Sequence, residues 1–162
     1  VTDYSGAEIR DEHVKALRLL IEGHREAAKY LESAKDDIDA VAYTAVVYSA
    51  FTVAVRRRFS PTYTKSQVIN YVADLRASLD ENASQISPRV AESMILAALG
   101  DEKHKEREPY GADLSILVTT ELSVLIDLVY GAGLDEVGLE GFLREAAEHA
   151  RGWLEARQGA AG

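Results

Sequence analysis

Between Ile38 and Phe59 the chain reads IDAVAYTAVVYSAFTVAVRRRF, and from Ala40 to Val55 it carries no charge. At about 100° per residue, Val41, Tyr48, Val55 and Phe59 fall on one face, while Tyr43, Val47, Phe51 and Ala54 fall on others. A helix that is apolar all round is buried all round. The pattern therefore predicts a central helix over 38–59 with the remaining helices wrapped around it. One strip stays small: Ala42, Ala45, Ser49 and Thr52 recur at spacings of three and four, which would let a second backbone approach closely. Asp36, Asp37 and Asp39 at its start and Arg56, Arg57 and Arg58 at its end suit the helix dipole.

The other segments are amphipathic with helical period. Ser5-Gly6-Ala7-Glu8 has the form of a capping box. It predicts a first helix to about Ala34, with Ile9, His13, Ala16, Leu17, Leu20, Ile21, His24, Ala27, Ala28 and Leu31 inward. Ser60-Pro61 breaks the chain, and Thr64-Lys65-Ser66-Gln67 opens a helix to about Leu79 with Val68, Ile69, Val72, Leu75 and Leu79 on its inner face. Ser87-Pro88 starts a short helix that ends at Gly100. Residues 101–112 (DEKHKEREPYGA) read as a flexible, exposed loop. A fifth helix is expected from Asp113 to Tyr130, before Gly131-Ala132-Gly133, and a sixth from near Gly138 to about Arg157, with a frayed tail over 158–162. No run alternates apolar and polar residues over strand length. The expected fold is an all-α, single-domain bundle of about six helices over residues 1–162.

The chain has 162 residues, no cysteine and a net charge of −9. That length buries one sizeable core without staples, and thiolate metal sites and disulfides are ruled out. The overall acidity argues against nucleic acid as a partner. Residues 53–79 run the other way, with Arg56, Arg57, Arg58, Lys65 and Arg76 against Asp74, a local +4 that leaves −13 elsewhere. The run over 40–55 spans about 24 Å as helix, short of a hydrocarbon core of about 30 Å, so no membrane partner is expected. Val1 to Ala34 shows no signal-peptide pattern, and a cytoplasmic location is expected.

Candidate chemistry is sparse. On the fifth helix Ser115, Thr119, Ser123 and Asp127 form a polar stripe, and Glu121 lies almost opposite, among Leu117, Val118, Leu125 and Leu128. A carboxylate in an apolar arc must find a partner or take up a proton. His13 and His24 pose the same question on the first helix, but 11 residues, about 16 Å, separate them, so they cannot share a metal ion. Glu145 and His149 stand at a spacing of four. No Glu-x-x-His pair, G-x-S-x-G, Walker sequence or glycine-rich loop occurs. The connection between the 64–79 and 88–99 helices is about seven residues, against three to four in a helix-turn-helix. Arg56, Arg57 and Arg58 could share an anion with the N–H groups that open the next helix at Thr64 to Ser66.

These observations predict no cofactor, metal site or catalytic residues. The expected function is a non-catalytic protein-interaction module acting as a homodimer, with Leu19 and Tyr30 as apolar positions off the main stripe of the first helix. The alternative is a small-molecule or anion-binding protein, an enzyme included. Its interhelical pocket would lie near His13, His24 and Glu121, with Arg56, Arg57 and Arg58 as further ligand contacts.

Overall fold

A computed structural model of the chain describes residues 3–23, 37–59, 61–101 and 114–160. Among them the fold is all-α. Six α-helices follow in order: α1 (Asp11–Ile21), α2 (Asp37–Arg58), α3 (Lys65–Ser78), α4 (Pro88–Ala98), α5 (Leu114–Ala132) and α6 (Glu136–Ala160). A 3₁₀ helix, Asp80–Gln85, joins α3 to α4 where a polar connection was expected. The chain divides into two compact units, Val1–Val53 with Leu134–Gly162, and Ala54–Gly133. The central helix α2 supplies its residues up to Val53 to the first unit and the rest to the second.

Burial along α2 follows its composition. Twelve of the residues between Ala42 and Val55 are buried, and the small strip Ala42, Ala45, Ser49 and Thr52 is at most 1% exposed. In the first unit Ser49 meets His149 of α6, and the rings of Tyr48 and Trp153 lie 5.9 Å apart. On that side α6 buries Ala146, Ala147 and Ala150, also small. Phe142, Leu143 and Leu154 of α6 complete this core with Ala16, Leu17 and Ile21 of α1.

The start of α1 departs from expectation for a local reason. Both the N–H and the hydroxyl of Ser5 donate to Asp3 Oδ1, at 2.9 and 2.6 Å, so Ser5 closes a turn with Asp3 and is not free to cap a helix. The helix begins at Asp11 instead, where His13 Nδ1 accepts the Arg10 N–H at 2.9 Å. Arginine has no side-chain acceptor, so Arg10 does not cap the helix in return. α1 ends at Ile21, with Glu22 as its C-cap and Gly23 at φ +77°, so the expected single helix to Ala34 is interrupted there; His24, Tyr30, Leu31 and residues 102–113 lie outside the described residues.

At the other end, where a frayed tail over 158–162 was expected, residues 158–160 belong to the last helix. α6 begins at Glu136 on an Asp135 cap, whose Oδ1 accepts the Gly138 N–H at 2.7 Å, and runs to Ala160. Gln158 Nε2 donates to the carbonyls of Tyr4 and Ala7 at 2.9 and 3.0 Å, tying the end of the helix to the first residues of the chain. Tyr4 stands edge-on to Trp153 with centroids 5.5 Å apart, and the Arg157 guanidinium lies 3.4 Å from the Trp153 ring centroid. Stacking and hydrogen bonds thus offset the entropy of ordering this last turn.

In the second unit the caps are those the sequence specifies. Thr64 and Gln67 exchange hydrogen bonds at 2.9 and 3.2 Å, and Ser87 Oγ accepts the Val90 N–H with Pro88 at the first helical position. Gly100, at φ +97°, closes α4: its N–H donates to Ala97 O and that of Asp101 to Leu96 O, both at 3.0 Å. This is the Schellman arrangement, which needs a residue without a Cβ penalty in the left-handed region. Val68, Val72 and Leu75 of α3, Val90, Ala91 and Ile95 of α4 and Val124, Leu125 and Leu128 of α5 form the core of this unit, whereas Ile69, expected on the inner face of α3, is 49% exposed.

Candidate functional site

The residues singled out in the sequence do not form one cluster. His13 belongs to the first unit and is fully buried. Because its Nδ1 accepts a backbone N–H, the ring holds its proton on Nε2, and half of its hydrogen-bonding capacity is committed to starting α1. Glu121 belongs to the second unit, where it is half-buried and already engaged in an interaction. His24 lies outside the described residues. Among those described, no group of three His, Asp or Glu residues is placed to hold a metal ion.

The three arginines at the end of α2 also have partners. Arg56 Nε donates at 3.0 Å to the carbonyl of Ala98, one of the orphan acceptors at the C-terminus of α4. The Arg58 guanidinium lies 5.3 Å from the Phe59 ring centroid and 5.8 Å from that of Tyr71. Arg57 is exposed and likewise engaged. These contacts make Arg56 and Arg58 packing elements of the second unit.

Two polar pairs escape sequence reading because their members are far apart in the chain. In the first unit Ser49 Oγ and His149 Nδ1 are 2.8 Å apart, within the reach of a nucleophile and its base. Ser49 is 0% exposed, however, so no substrate carbonyl can approach its oxygen. The pair serves as a polar contact between α2 and α6. In the second unit the Tyr71 hydroxyl donates to Asp127 Oδ2 at 2.7 Å, and Phe59 stands edge-on to the Tyr71 ring at 5.7 Å. Burial, followed by the bond to Asp127, pushes the Tyr71 phenol well above its ordinary value. The polar stripe of α5 therefore faces a partner helix at Asp127.

That orientation corrects the expectation for α5. Val118, placed with the inner arc, is 46% exposed, and Tyr130 is 69% exposed. Between them Leu122 and Ile126 are half-buried. Val118, Leu122, Ile126 and Tyr130 stand four residues apart and make one continuous i±4 ridge, about 18 Å long, with no charge on it. The helix is apolar on nearly every side; Thr120, Val124, Leu125, Leu128 and Val129 are the buried ones, and the tyrosine bond at Asp127 adds to them in setting which side is left open. Its window Ser115–Ala132 is long and apolar enough to cross a membrane by length and composition, and 28% of it is buried. The 40–55 run considered from sequence is instead the buried core of α2.

Comparison with protein-family models, curated proteins and solved structures finds no match.

Proposed function

We propose that this protein is a non-catalytic interaction module that pairs with a second copy of itself through the open ridge of α5. The observation that carries the reading is the row Val118, Leu122, Ile126 and Tyr130, uncharged and open at both ends. Scattered exposed apolar residues such as Ile69 and Val137 are ordinary; four in register along one helix are a contiguous surface.

Charge selects the occupant. Two chains of net charge −9 repel unless the face they share is neutral. Neither acid of α5 stands in this row, and Asp127 is bonded to Tyr71, so the ridge itself brings no like charge to a second copy. A basic partner would gain nothing from this neutral row. Antiparallel pairing about a twofold between Leu122 and Ile126 sets each of these residues against the other on the second copy, the self-complementary pattern of an isologous interface. One ridge is smaller than the roughly 800 Å² per partner of a standard interface, so the dimer is reversible in the micromolar range.

The absence of native cysteine makes cross-linking a clean test. Oxidising an equimolar mixture of Leu122→Cys and Ile126→Cys proteins should give mainly the mixed disulfide, while Val137→Cys should give little dimer. Cross-linking no greater than for Val137→Cys would overturn the proposal. So would flotation of the parent protein with phosphatidylcholine vesicles, because α5 would then face lipid.

A further inference from the structure

The first unit contains a groove between α1 and α6 with a volume of about 290 Å³, at the small end of ligand clefts (roughly 300–1,000 Å³). The two helices meet with the end of α1 beside the start of α6, where Arg18 pairs with both Glu22 and Glu136. The floor is apolar: Val14 from α1, Leu143 and Ala147 from α6. Ala147 lies one turn from Arg144 on one side and from Arg151 on the other, and its short side chain keeps the floor recessed between the two guanidiniums. Lys15 joins them from α1.

This lining is basic in an acidic chain, with four cations against Asp11 and Glu140. Arg18 is committed to its two glutamates. Lys15, Arg144 and Arg151 make no ion pair among the described residues, although Glu140, Glu148 and Glu155 stand one helical turn from the arginines. Two guanidiniums bordering an apolar floor suit a planar oxyanion attached to a short hydrocarbon body. Asp11 and Glu140 on the same rim repel additional negative charge and restrict the ligand to a single one.

We infer that the groove between α1 and α6 binds a small amphipathic monoanion, a carboxylate whose apolar body rests on Val14, Leu143 and Ala147 while Arg144 and Arg151 hold its head. The site is independent of the α5 ridge. The test is isothermal titration calorimetry of the full chain with octanoate, octanol and inorganic phosphate. Octanoate should bind saturably at one site per chain, and octanol and phosphate at least about tenfold more weakly, since each lacks one half of the interaction.

The Arg144→Gln/Arg151→Gln variant should lose about tenfold or more in octanoate affinity. Both side chains are exposed, so its helical circular dichroism should match the parent. Should that variant not fold, Lys15→Gln, expected to weaken octanoate severalfold, takes its place. Leu122→Asp should bind octanoate like the parent, which separates this site from the ridge. No saturable binding, equal affinity for octanol, or affinity unchanged by loss of the groove cations would overturn the inference.

Discussion

Replacing Tyr71 by Phe removes a single oxygen from the second unit and leaves its ring contacts with Phe59 and Arg58 in place. The lost interaction is a 2.7 Å hydrogen bond to the carboxylate of Asp127. A bond to a charged group contributes about 1.5–3 kcal/mol. Both partners are half-buried, so water replaces part of what the phenol supplied, and the expected loss is about 1–2 kcal/mol. With a urea slope of about 2 kcal/mol per molar, the midpoint should fall by roughly 0.5–1 M. The assay is urea unfolding followed by circular dichroism, because Trp153, the single tryptophan, reports on the first unit.

Its pH dependence follows from the raised phenol of Tyr71, caused chiefly by burial and then by Asp127. The folded state favours the neutral phenol, so this stabilisation is fully present below the unfolded value of about 10 and is lost as pH rises above it. The stability gap between parent and Tyr71→Phe should be constant through neutral pH and shrink above pH 10. Equal midpoints at pH 7, or a gap that widens above pH 10, would refute the reasoning.

Three further substitutions probe the packing. Ala45→Leu inserts bulk into a strip that is at most 1% exposed and should cost about 1–3 kcal/mol in urea unfolding; an unchanged midpoint would mean that the strip does not pack. Thr120 is fully buried with no hydrogen-bond partner for its hydroxyl among the described residues. Thr120→Val should therefore be neutral or stabilise by up to about 1 kcal/mol in thermal unfolding, the reverse of the usual effect of a core substitution. Ser87→Ala should cost about 1 kcal/mol by uncapping α4, measured in the same way.

What the sequence reveals here is whatever is decided within a few residues. Thr64 with Gln67, Ser87 with Pro88, and Gly100 each act on backbone groups at most four positions away, and the structure uses each as the pattern implies. The uncharged run of α2 likewise reports its own burial. Ser5 misleads because a nearer acceptor, Asp3, takes its hydroxyl, and spacing alone does not rank two local partners. The ordered end of α6 depends on Gln158 reaching Tyr4 and Ala7, more than 150 residues earlier. α5 is the instructive failure: with apolar residues on nearly every side, periodicity does not say which arc faces inward. A bond between Tyr71 and Asp127, 56 residues apart, bears on the answer. The candidate interaction surface was therefore present in the sequence as the row Val118, Leu122, Ile126 and Tyr130, but not distinguishable there from core.

The account rests on α5 leaving that row open for a second copy, and sedimentation equilibrium tests it most directly. The parent protein should show a mass rising toward twice 17.7 kDa across the micromolar range. Leu122→Asp, which places a charge near the proposed twofold, should remain at 17.7 kDa with unchanged helical content, while Val137→Asp should behave like the parent. A parent that stays monomeric over that range, or a Leu122→Asp variant that dimerises as the parent does, would contradict the account.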